Sequence, residues 1–312
     1  MWMYIARRLL WLPFLLFAVS LVTFSLGRFG PGDPVQVMLG ARYDPDSAVT
    51  KNLQAQLGLD KSFFMAYADY MWGVMRYADF GESYHFRGRS VRSLLGAKMW
   101  ISFQVNVAAM IVSLGIGLPL GFWIAHKQGR WEDPTTVTIA LILMSIPIMV
   151  SIPAVLWVGC LKTDLVPCAG WNGFWSTNMI VPAITMGIPG VAGFARFMRA
   201  STLDVMGQDF IRTAHAKGLS GFTVDYRHVF KNSMIPIVTI LAFALAGMLT
   251  TSFITERILG IPGVGDFAIG SIFNRDYPVI TAITLIGAGA FVIANLLADI
   301  AYSFIDPRIR YQ

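Results

Sequence analysis

Six stretches of this chain run for about twenty residues or more with almost no charge: about 9–28, 100–125, 135–161, 179–198, 234–255 and 279–305. Lipid offers the backbone no hydrogen-bond partner, so each stretch is expected to be a helix that satisfies its own amides and carbonyls. The two-residue alternation of a membrane β-barrel is absent from them. Composition agrees. The chain is 55% hydrophobic and 13% charged, against about 25% charged for an ordinary soluble domain. Such a composition argues against a water-soluble globular domain. The net charge of +6 does not indicate nucleic acid, because the positive residues cluster beside apolar runs. The expectation is an all-α integral membrane protein in the lipid bilayer, with six spans and one domain over 1–312.

Lysine and arginine set the orientation. With the amino terminus inside, the inner segments hold Arg7, Arg8, Lys127, Arg130, Arg196, Arg199, Arg212, Lys217, Arg227, Lys231, Arg308 and Arg310. The short outer loops and their flanks hold Lys162, Arg257 and Arg275. Both termini are therefore expected in the cytoplasm. Arg7-Arg8 followed by an apolar run resembles a secretory signal, but the run to Gly27 is too long for one and no A-x-A site follows. A retained first span is expected.

The outer loop 29–99 is too long to lack structure. After the turn "GPGDP" (30–34), "DPDSAVTKNLQAQLGL" predicts a helix with Asp44 as its cap and Pro45 at its first position. In "SFFMAYADYMWGVMRYA", Phe63, Tyr67, Tyr70, Met71 and Val74 share one helical face. That face can pack on the outer ends of the spans or dock a partner. The two cysteines, Cys160 and Cys168, could pair at an outer membrane edge, but Cys160 falls inside a predicted span and the expectation favours free thiols.

The segment "IRTAHAKGLSGFTVDYRHVFKNSMIP" (211–236) interrupts the apolar pattern with basic, helix-forming residues. Asp209 suits a helix cap, Lys217 the last turn, and Gly218 the position after it, where φ is often positive. Ala214 and Gly218 lie four apart, on one face. Either both are small so that another backbone approaches, or Ala214 is an ordinary helix former and Gly218 merely a cap.

"DFIRTAHAKGLS" followed by "RHVFKNSMIP" resembles the cytoplasmic EAA loop (about 204–233) of ABC-importer permeases of the dipeptide, oligopeptide and nickel type. The general motif is Glu-Ala-Ala-x-x-x-Gly. Here Arg212, Thr213 and Ala214 stand at its first three positions and Gly218 at the last. The glutamate is absent, so no contact of that carboxylate is carried over. "ARRLL" (6–10), "QLGLD" (56–60), "ADFGES" (78–83), "TERILGIPGVG" (255–265), "NRDYPVI" (274–280) and "DPRIRY" (306–311) extend the resemblance along the whole chain.

The resemblance implies a type I importer permease fold. It implies a coupling helix that docks an ATP-hydrolysing subunit through Asp209, Arg212, Thr213, Ala214, Ala216, Lys217, Gly218 and Leu219. The implied assembly has a second homologous permease, two ATP-binding subunits that hold ATP and Mg, an extracytoplasmic substrate-binding protein and a short-peptide cargo. Nickel and glutathione are alternative cargoes within the family. The chain itself is expected to be non-catalytic and without a cofactor. It has no GxxxxGK[ST] phosphate loop, no HExxH and no GxSxG.

Charged groups inside spans are costly and often functional. Asp299, with Asn295 one turn before it, could relay protons or hold helices together. Glu256 and Arg257 are expected at the outer end of the fifth span, as an ion pair or a substrate contact. His85, His126, His215 and His228 have no metal-ligand spacing, so no metal site is expected. Pro147, Pro153, Pro182 and Pro189 fall in or near spans three and four, where kinks often surround a transport path. Two competing readings are an ion-coupled secondary transporter, which would lean on Asp299, and a membrane scaffold, which leaves the 211–236 segment unexplained.

Overall fold

The computed structural model describes residues 2–31, 33–248 and 252–305. Its elements are helical: α1 (Trp2–Phe29), α2 (Pro34–Leu39), α3 (Ala48–Gln56), α4 (Phe63–Tyr77), α5 (Val91–Ala125), α6 (Glu132–Ser145), α7 (Ile148–Leu156), α8 (Ile180–Met206), α9 (Asp209–Ala216), α10 (Gly221–Thr223), α11 (Lys231–Gly247), α12 (Phe253–Leu259), α13 (Val264–Phe273) and α14 (Tyr277–Ile305). Wider π-type turns run through Trp157–Lys162 and Val224–Phe230.

Among the described residues, three unbroken helices are long and apolar enough to cross a membrane: Val91–Ala125, Thr177–Met206 and Tyr277–Leu296. Two bent pairs pass the same test, Pro13–Phe29 with Pro34–Arg42 and Glu132–Ser145 with Ile148–Lys162. Several expected limits move. The helix of the second expected span starts at Val91, ahead of the expected 100, because the polar stretch before the apolar run is helical too. The fourth continues past 198 to Met206. The fifth ends as a helix at Gly247, and Glu256 sits beyond it in the separate α12. The third is broken, its halves meeting at 97°. Helix α13, in an expected outer loop, has no counterpart in the sequence reading.

The chain divides into two compact units. The first combines Met1–Ser102 with Pro262–Ile293. In it, the predicted α4 face packs on α1. Tyr67 is buried, its ring edge-on to Phe17 and Phe24, and its hydroxyl lies 2.6 Å from that of Ser20. Phe63 stacks on Phe29. Arg28 donates to the carbonyls of Gly58, Leu59 and Lys61, capping the turn after α3. The cap of α3 is Ser47, whose hydroxyl accepts from the Thr50 amide, and not Asp44, whose carboxylate accepts from the Asp46 amide three residues earlier. The shorter reach of that Asx turn leaves Pro45 outside the helix.

The buried Asp276 carboxylate accepts from the Ser83 hydroxyl and from the Tyr84 and His85 amides, at 3.1 and 3.3 Å. Burial, with Asp276 adding to it, pushes the Tyr84 phenol up to about 12. A cavity of about 610 Å³ opens among Arg28, Lys61, Asp69, Tyr70, Tyr84 and Tyr277.

The second unit holds Phe103–Ile261 and the end of α14 after Ile293. Helix α8 is its centre, packed on α6, α7 and α11. Its approach to α5 is close. A Cβ on Gly121 would collide with the Ala195 carbonyl, and one on Gly117 would lie 2.8 Å from that of Val191. Small residues four apart let two helix backbones meet, the usual device where lipid supplies no hydrophobic drive between helices. Arg199 on α8 grips Asp133 at the start of α6 in a two-pronged ion pair of 2.5 and 2.6 Å. Cys160 and Cys168 form a disulfide, against the expectation of free thiols. The π-type turn Trp157–Lys162 continues α7, so Cys160 lies at the end of that helical arm, with its Cα 5.3 Å from that of Cys168 in the loop beyond.

Candidate functional site

The segment 207–230 carries the site that the sequence singled out. Asp209 opens α9 as its first helical residue, where its charge favours the helix dipole; Gln208, not Asp209, occupies the cap position. The backbone explains the shift: Gln208 is extended, and the chain turns helical only after it. Arg212 lies 3.5 Å from Asp209 in an exposed pair one turn apart, and the Thr213 hydroxyl donates to the Asp209 carbonyl. The helix ends at Lys217. Gly218 then takes φ +77°, as its place after the helix predicted, and its amide bonds the His215 carbonyl.

One face of α9 turns inward. Ile211 and Ala214 are buried and form a cluster with Val224 and Val229, against which Phe122, Val205 and Met206 pack. The small face imagined for Ala214 is therefore occupied by the chain itself. Its methyl group lies under the Val224–Phe230 turn. The opposite face is open. Asp209, Phe210, Arg212, Thr213, Ala216, Lys217, Gly218 and Leu219 are exposed.

Beyond them stands an aromatic ladder that sequence reasoning missed. Phe222, Tyr226 and Phe230 stack in parallel at 6.2 and 6.0 Å. Phe222 and Tyr226 remain 81% and 68% exposed, a large amount of apolar ring for a polar segment. Their four-residue spacing was readable, but it sits among charges that drew attention first.

This ridge is bolted to the long helices. Phe122, at the end of α5, touches the Ile211 cluster and also a second cluster built on Phe194, Met198 and Ile237. Phe230 and Met234 pack on that second cluster. The Ser201 hydroxyl bonds the Ser233 carbonyl, and His126 lies 3.2 Å from Asp225. A displacement of α9 would therefore be felt by α5, α8 and α11 through dense, poorly compressible contacts.

The intramembrane candidates do not converge here. Glu256, expected at the outer end of the fifth span, is fully buried and accepts from the Ser252 hydroxyl. Ser252 in turn meets the Asn106 amide, which also donates to the Met248 carbonyl at 2.7 Å. Asn106 was passed over in the sequence because a lone Asn in an apolar run carries no spacing signal. Asn295 is half-buried on α14; the side chain of Asp299 lies outside the described residues, as does "DPRIRY". No group of three or more metal-ligating side chains occurs among the described residues.

Comparison with known proteins now adds a family. Residues 117–311 match the binding-protein-dependent transport system inner membrane component, and residues 1–99 match the amino-terminal part of such membrane components. A probable peptide ABC transporter permease of Sinorhizobium fredii is 32% identical over the full length of both chains. A dipeptide transport system permease of Escherichia coli is 34% identical over 94% of each chain. A glutathione transport system permease of Escherichia coli is 32% identical over 99% of each. With both family regions matched in order and relatives aligned nearly end to end, the chain belongs to the inner-membrane components of binding-protein-dependent transport systems, and is a multi-pass membrane protein.

Proposed function

We propose that this chain is a pathway-forming permease subunit of an ATP-driven importer of short peptides. The observation that carries the reading is the exposed ridge of α9 and the aromatic ladder, tied through Phe122 to the cores of α5, α8 and α11. An ATP-hydrolysing subunit docked on Arg212, Lys217, Leu219 and Phe222 would move these helices together. Its nucleotide state would then shift the population between outward- and inward-open forms. The chain is non-catalytic in this scheme. ATP and Mg belong to two partner subunits, a second permease completes the pathway, and an extracytoplasmic binding protein delivers cargo.

Peptide cargo is supported by the names of the relatives; glutathione, itself a short peptide, falls within the same class. Six spans with both termini inside remain the arrangement that the distribution of lysine and arginine favours. The Cys160–Cys168 disulfide supports it, since that segment is then on the oxidising side.

The test is purification of the assembled complex in mild detergent. Co-purified ATP-binding subunits whose hydrolysis rises with short peptides and receptor are expected. The double variant Arg212→Glu with Leu219→Asp changes two exposed side chains and should abolish that stimulation while the chain still inserts; Gly218→Trp should do the same through backbone strain at positive φ. Wild-type uptake by both variants would remove the coupling role. A chain that purifies alone and moves solute under an ion gradient would return attention to Asp299.

A further inference from the structure

The break in the third apolar stretch has an unusual hydrogen-bond account. Pro147 has no amide hydrogen, so the Leu143 carbonyl has no donor four residues on. Proline also disfavours helical geometry in the residue before it, and Ile146 is extended at φ −78° and ψ 118°. The chain turns by 97°. Met144 and Ser145 thereby lose their helical donors as well, because Ile148 and Met149 open a helix in a new direction. Among the described residues, no hydrogen bond from outside the helix ladders reaches these three carbonyls; the amides of Val150 and Ser151 go to Pro147. The side chains of residues 141–147 are all exposed.

The elbow also lies deep. Helix α6 starts beside the Lys127–Arg130 turn and has 14 residues, a rise of about 21 Å into a core about 30 Å thick. The far arm ends at Lys162 and the disulfide. A free carbonyl in hydrocarbon costs several kcal/mol, so broken helix at this depth does not face lipid.

We infer that the elbow at 143–147 lines the water-filled translocation path, where its free carbonyls accept hydrogen bonds from the amides and terminal ammonium of a passing peptide. The side chains around it, Met144, Ser145, Ile146 and Met149, carry no charge and include two adaptable thioethers. Such a contact reads backbone and ignores sequence. The water-lined part stands on the free carbonyls and the depth of the elbow; the peptide part rests on the cargo proposed above.

The test uses the complete complex in membrane vesicles, with Met144→Cys or Ile146→Cys and mass spectrometry of this chain. The native cysteines are both in the disulfide and give no free thiol. A charged, membrane-impermeant methanethiosulfonate should modify both positions about as fast as Trp175→Cys, a position 94% exposed. Short peptide at ten times its half-saturating concentration should slow the reaction about tenfold, in proportion to occupancy.

Reaction with a lipid-soluble maleimide alone would place the elbow against lipid and overturn the inference. Silence towards both reagents would mean that a partner subunit covers it, which also overturns it. Water access without peptide protection, in a complex whose hydrolysis peptide still stimulates, would overturn the carbonyl contact. If peptide neither protects nor stimulates the unmodified complex, the proposed cargo fails and the peptide part falls with it, while the labelling upholds the water-lined part.

Discussion

Two helix ends in the second unit solve the same problem in opposite ways. Where α11 gives out, the Met248 carbonyl is taken by the Asn106 amide, and Asn106, Ser252 and Glu256 form a buried polar chain. Where α6 gives out, the carbonyls of Leu143, Met144 and Ser145 receive nothing from the other described residues. A membrane helix that stops short must find donors, and the source of those donors separates architecture from function. The first end is sealed from within, so it holds the fold. The second is left for something outside the chain.

Substitutions at the two ends should behave differently. The largest effect is expected from Pro147→Ala, which restores the missing amide and lets α6 and α7 approach a continuous helix. Uptake should be lost while the assembled complex survives heating at least as well as the parent. Unchanged uptake would show that the break has no part in transport. Next, Cys160→Ser with Cys168→Ser frees the far arm and should cost about 2–4 kcal/mol, as loss of a native cross-link does, read as a lower unfolding midpoint in detergent.

Asn106→Leu should cost about 1–3 kcal/mol, because it strands a buried carbonyl. If it were neutral, the sealed end would be no better satisfied than the open one. The smallest effect, about 1 kcal/mol or less, belongs to Ser145→Ala, whose hydroxyl only returns to its own helix at Leu141. A large loss of stability there would mean that the elbow is packed rather than open.

The sequence reading located the helices well and their interruptions poorly. Apolar runs marked α1, α8 and α14 because the hydrocarbon thickness is a fixed ruler. Gly218 was legible because a positive φ after a helix has few other tenants. Pro147 was legible as a kink, yet proline removes only one donor, and the 97° turn depends on what α7 packs against, which is α8 and α12. Ala214 shows the same limit on the proposed coupling segment. Its spacing from Gly218 was correct, but which face of α9 turns inward depends on Val224 and Val229, on a turn whose return path has no local signature.

By itself, then, the sequence determined that this is a helical membrane protein with one basic, polar interruption, because hydropathy and backbone hydrogen bonding act over a few turns of chain. The pairing of Cys160 with Cys168, the burial of Glu256, the inward turn of Ala214 and the unanswered carbonyls at 143–145 were decided by tertiary structure alone. Each depends on how the chain packs around the group concerned, even across the sequence separation of 8 between the two cysteines, and residue type alone does not encode that packing.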